Sequence, residues 1–184
     1  MNSLKGHVLV ASPYLLDPNF VRTVVLLLHH SDEGAFGVVL NRPAEDTIKD
    51  LWQKVTNGTC DNEQLVHVGG PVSGPLMALH TVKAAAEMEV LPGLYFAAQR
   101  ENLEKILRQK KHPVRVFVGH AGWGGGQLEK ELKEGAWLTG PAESDYVFYD
   151  WDIDLWKRVS KQIGNALLTG MLRIKHIPDD PSCN

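Results

Sequence analysis

"TVVLLLHHSDEGAFGVVLNRP", residues 23–43, decides the fold class. Residues 24–28 are all apolar and leave no polar face, so 23–29 predicts a strand covered on both sides. "HSDEGA", beginning at His30, supplies the acidic, glycine-containing turn of a hairpin. Residues 36–41 form the next strand, which Pro43 stops. Strands joined by so short a loop run antiparallel, because a parallel pair needs a crossover of about a dozen residues or more. A simple βαβ series is thereby excluded.

Outward from this hairpin, residues 4–11 read as a preceding strand ended by Pro13. Ile48, Leu51, Trp52 and Val55 recur at helical spacing, which predicts a helix over 47–55. Residues 65–68 form a short strand that runs into the loop "GGPVSGP". Further strands are expected at 76–82, 94–98 and 114–118, with a helix from about Arg100 that buries Leu103, Ile106 and Leu107. A short helix over 127–134, a strand in "AWLTGP", a strand over 146–149 and a helix over 155–168 complete the series. Hairpins with interspersed helices define an α+β fold with a mixed, mostly antiparallel sheet and flanking helices.

The chain of 184 residues carries a net charge of −3, and 43% of its residues are hydrophobic and 22% charged, the balance of an ordinary single globular domain. No apolar run approaches the roughly 18 residues of a membrane span. The opening "MNSLKGHVLVAS" is too short in apolar residues for a secretory leader, so a cytoplasmic protein with no membrane partner is expected. Cys60 and Cys183 are too few for a disulfide framework or a four-cysteine zinc site. The acidic balance opposes a nucleic-acid-wrapping role, and "RQKKH", 108–112, reads as a solvated helix end.

"VGHAGWGGGQLEKEL", 118–132, places five glycines between a strand and a helix, the context of a phosphate loop. Its spacing fails both standard patterns. A dinucleotide fingerprint starting at Gly122 needs glycine where Gln127 stands, and no Gly-Lys-Ser/Thr follows Gly126. The plainer reading is a bend around a buried Trp123, with Leu128 and Leu132 inward. On that helix Glu129–Lys133 and Lys130–Glu134 are expected to pair outside, and Gln127 and Glu131 to share a face.

"GHAGWGGGQLEKEL" followed by "EGAWLTGPA" closely resembles the hallmark of the AlgH/YqgE family of small bacterial proteins. The opening block to "VVLNRP" and the central "VGGPVSGPLMALH" match in the same order, and the likeness runs from about Gly6 to Gly164. His120 stands where the family usually has tyrosine, and residues from about 165 to 184 read as a C-terminal extension. The resemblance implies an α+β fold with a branched, barrel-like sheet. It also brings a transcriptional-regulator label tied to alginate control, although no helix-turn-helix pattern with a basic recognition face is present in this chain.

Eight histidines raise the question of a metal. His29 and His30 point to opposite faces of a strand, no His-x-x-x-His spacing occurs, and His7, His67, His80 and His120 read as structural, so neither metal nor cofactor is expected. Ser12, Ser73, Thr81 and Cys60 lack the context of a nucleophile. Asp150, Asp152 and Asp154 read as solvated, with Asp154 capping the last helix.

One constellation stands out. Asn41 and Arg42, Gly69 and Gly70, and Gly122, Trp123 and Gln127 each follow the end of a strand. If those ends converge, they line a cleft suited to a small anion or nucleotide-like ligand. The alternative leaves Arg42 paired with Glu45 and Asn41 satisfying turn backbone. The leading functional expectation is a non-enzymatic regulatory or interaction protein acting through a protein partner. The others are a ligand-binding protein or enzyme using that cleft, and a direct DNA-binding regulator.

Overall fold

The computed structural model describes residues 2–56, 58–109, 111–148 and 154–172. The predicted hairpin is present as β2 (Val24–Ser31) and β3 (Gly34–Val39), preceded by β1 (His7–Ala11). β4 (Pro43–Thr47), α1 (Ile48–Thr56), β5 (Leu65–Val68) and β6 (Met77–His80) follow. Next come β7 (Met88–Leu91), β8 (Leu94–Ala97), α2 (Arg100–Leu107) and β9 (Val114–Val118). β10 (Ala121–Gly124), α3 (Gln127–Lys133), β11 (Trp137–Pro141), α4 (Asp145–Phe148) and α5 (Leu155–Leu172) end the described chain.

The strands form two sheets. The first has the order β10-β3-β2-β1-β11 and is antiparallel throughout. The second has the order β4-β5-β9-β6-β8-β7, and its only parallel pair is β5 with β9. The fold is therefore α+β, as expected, but among the described residues neither sheet closes into the barrel-like form that the resemblance implied. β2 lies at the centre of its sheet, which is why it is apolar on both faces: Val24, Leu26 and Leu28 point to one core and Val25 and Leu27 to another.

Three apolar layers result. Between the sheets, β1, β2, β3, β6 and β9 pack with Tyr146 and Val147 of α4 and with Leu155, Val159 and Ile163 of α5. Outside the first sheet, Trp123, Leu128 and Trp137 lie on Leu9, Val25 and Val39. Outside the second, Ile48 and Trp52 of α1 and Leu103 and Ile106 of α2 cover Val66, Ala78 and Val116. His80 is fully buried in β6, and its Nδ1 accepts from the Val82 N–H. Burial holds this imidazole neutral and lowers its pKa to about 4.

The sheets are joined where the chain passes from one to the other, at β3 to β4 and at β9 to β10. Val39 N–H donates to Gly69 O (2.7 Å), Gly69 N–H to Val118 O (2.8 Å) and Val68 N–H to Arg42 O (2.7 Å). Val72 and His120 exchange a pair of bonds of 3.0 and 2.9 Å. The segments 69–72 and 118–120 thus cross backbone against backbone.

Several expectations are corrected. Pro43 does not end pairing but begins β4, and β7 and β10 are strands absent from the sequence reading. Residues 145–148 are helical rather than extended: Tyr146 and Val147 are consecutive and both buried in the layer between the sheets, which a strand would have divided between two faces. Glu129 makes its hydrogen bond to His30 (2.7 Å), with Lys133 acting on it only as a nearby charge, whereas Lys130 and Glu134 approach to 3.9 Å. Asp150, Asp152 and Cys183 lie outside the described residues.

Candidate functional site

The site grows from the segment linking β1 to β2. "SPYLLDPNFVR", 12–22, contains two prolines and cannot pair as a strand, so its backbone polar groups must be satisfied one by one. Ser12 N–H donates to Ala136 O, and Leu15 N–H returns to Ser12 O. Asp17 organises the second half, where its carbonyl accepts from Phe20 and Val21 N–H and its Oδ1 accepts from Asn19 N–H at 2.8 Å. Arg22 takes a left-handed φ of 54° before the chain enters β2.

Two residues beyond β3 hold this loop in place. Asn41 Oδ1 accepts from Val24 N–H and its Nδ2 donates to Arg22 O, both at 2.9 Å. Arg42 Nη2 donates to Pro18 O (3.0 Å) and Val21 O (3.4 Å), so its hydrogen bonds go to the loop's carbonyls, not to Glu45.

Beneath the loop, Phe20 stacks on Trp123 with ring centroids 6.1 Å apart and meets the edge of Trp137 at 5.4 Å. Both indole N–H groups donate to one carboxylate oxygen, Glu131 Oε2, at 2.9 and 2.8 Å. The other oxygen accepts from Gln127 Nε2 (2.9 Å), and Gln127 Oε1 in turn accepts from Gly124 N–H (3.1 Å). Glu131 is the hub that lets two tryptophans be buried without losing their donors. On another side of α3, His30 Nδ1 accepts from Leu4 N–H, which leaves Nε2 to donate to Glu129. The Glu129 carboxyl is held below its usual range, first by its own backbone N–H at the start of α3 and then by His30.

The seven residues singled out in the sequence fall into two groups. Asn41, Arg42, Gly69 and Gly70 gather at the crossing of the sheets. Gly122 pairs with Phe36 and Trp123 with Ala35, near the opposite end of β3, and Gln127 begins α3. Six residues of extended chain separate Ala35 from Asn41, roughly 20 Å. The loop bridges the groups, because Phe20 touches Trp123 while Arg42 holds Pro18 and Val21.

What sequence reasoning missed is the loop itself. Tyr14 and Leu16 are 90% and 87% exposed, and Val21 is also exposed. The available signal was three apolar residues, Tyr14, Leu15 and Leu16, between two prolines with no strand to bury them. Among the described residues no helix is long and apolar enough to cross a membrane.

Two crossed sheets with a tryptophan–glutamate hub define the class of this α+β protein. A family model described as DUF179, AlgH-like, matches residues 8–168, and the chain belongs to this AlgH-like UPF0301 family. A UPF0301 protein from Chlorobaculum tepidum is 38% identical over 165 residues, 86% of each chain. One from Streptomyces coelicolor is 37% identical over 193 aligned positions, covering 100% of this chain and 97% of its own. The solution structure of AlgH from Pseudomonas aeruginosa superposes with a TM-score of 0.75 at 27% identity, covering 96% of this chain and 97% of that one.

Proposed function

We propose that the protein is a non-enzymatic regulatory protein, acting in the cytoplasm through a protein partner that docks on the 13–21 loop. The observation that carries this reading is the exposure of Tyr14 and Leu16 on a loop that Asn41, Arg42 and the Phe20–tryptophan stack hold in one conformation. Apolar side chains on a mobile loop would lose entropy on binding, whereas a braced loop has already lost it. Asp17 stands beside them, so the complementary surface has an apolar pocket with a cation at its rim. The hydrogen bonds of Asn41, Arg42, Trp123 and Gln127 within the chain favour this reading over a small-anion cleft at the strand ends. The net charge of −3 disfavours direct DNA readout.

The test places a photo-reactive phenylalanine at position 14 and, separately, at position 55 on the opposite layer. A protein crosslinked from position 14 only, whose purified form binds the Tyr14→Ser/Leu16→Ser variant at least about tenfold more weakly, supports the proposal. Identical capture from both positions, or equal affinity for the variant, overturns it.

A further inference from the structure

On the outer face of the second sheet, a cavity of about 360 Å³ opens between α1, the start of α2 and residues 74–76. Its volume lies within the range of small-molecule pockets. Leu51, Trp52, Val55, Leu76 and Leu103 give it apolar walls, and Val55, 55% exposed, stands at its mouth. One cation belongs to the lining. Arg100 donates through Nη2 to Thr56 O (3.3 Å) and through Nε to Glu104 (3.1 Å), which fixes the guanidinium at the edge of the apolar surface.

We infer that this cavity binds an apolar monocarboxylate, with the hydrocarbon between α1 and α2 and the carboxylate on Arg100. The walls select the hydrocarbon, since they offer it area and few polar partners. Arg100 selects the anion, because a guanidinium presents donors in the plane that a carboxylate accepts. The charge is limited to one because Glu104 is shared by Arg100 (3.1 Å) and Arg108 (4.0 Å): two cations and one carboxylate leave a single positive charge, which balances a monocarboxylate and only half-neutralises a phosphate dianion. This site lies on the layer opposite the 13–21 loop and does not depend on the partner-docking reading.

Octanoate is the probe, titrated calorimetrically into the full chain at neutral pH, with octanamide as its uncharged counterpart. Saturable octanoate binding is expected, tighter than octanamide by about tenfold. Arg100→Gln, an exposed position, removes that preference and leaves the two probes equal. Val55→Trp, also exposed, fills the mouth and weakens both by at least tenfold, while Tyr14→Ser/Leu16→Ser leaves both unchanged. No saturable binding, or octanoate binding indifferent to Arg100→Gln or to Val55→Trp, overturns the proposal.

Discussion

Two glycine-rich regions look alike in the sequence and are glycine-rich for different reasons. At the crossing of the sheets, a Cβ on Gly69 would fall on the Gly119 carbonyl, and one on Gly70 within the His120 carbonyl group. Another main chain occupies the space a side chain needs. At the bend before α3, a Cβ on Gly122 would come no nearer than 4.0 Å to any atom, and one on Gly126 would meet nothing within 4 Å. There Gly126 matters for its φ of 75°, which ends β10 and turns the chain into α3. In the first region main chain packs on main chain. In the second, Gly125 alone of the bend's glycines meets main chain, at the Asp32 carbonyl, and the rest of the packing is done by side chains, through the Glu131 hub.

The largest effect should come from breaking the crossing. Gly70→Ala pushes two backbones apart and is expected to cost about 3 kcal/mol or more, read as a fall in the urea midpoint without a change in slope. Next is Glu131→Ala, which leaves two buried indole N–H groups without their acceptor and should cost about 2 kcal/mol, with Glu131→Gln losing less. Gly126→Ala should cost about 1 kcal/mol, the strain of a left-handed alanine alone. A smaller effect depends on pH. The Glu129 carboxyl is lowered in the folded state, so its stabilisation is fully present above the ordinary carboxylate pKa and is lost as pH falls through the folded value. Glu129→Gln should therefore flatten the acid limb of stability below about pH 4.5 and leave the crossing untouched. Gly122→Ala, finally, should stay within about 0.5 kcal/mol of the parent. A large loss there would erase the distinction between the two regions.

The central strands were legible, and of the four edge strands only β11, in "AWLTGP", was. β2, β5 and β9 have neighbours on both sides and carry the β-branched and aliphatic residues that such burial selects. β4, β7 and β10 are all edge strands. An edge leaves some backbone groups without a ladder partner, so β4 can begin with a proline and β10 can read Ala-Gly-Trp-Gly. The helical spacing of Gln127 and Glu131 made their shared face readable. The carboxylate's second role was not, because Trp137 comes from another strand and meets it only after the sheet has formed. His30 and Glu129 are paired by the same long-range folding, which no local pattern encodes.

The pairing of β1 with β11 bears on how the molecule is made. His7 lies opposite Pro141 and Ala11 opposite Trp137, so β1 waits for a strand made about 130 residues later. β3 waits likewise for β10. During synthesis the β1–β2–β3 sheet has both edges bare, with some of the most apolar segments of the chain beside them. Unpaired edges of that kind are what chaperones cover and what aggregation exploits. Completion of the first sheet therefore has to wait until β10 and β11 have both been made.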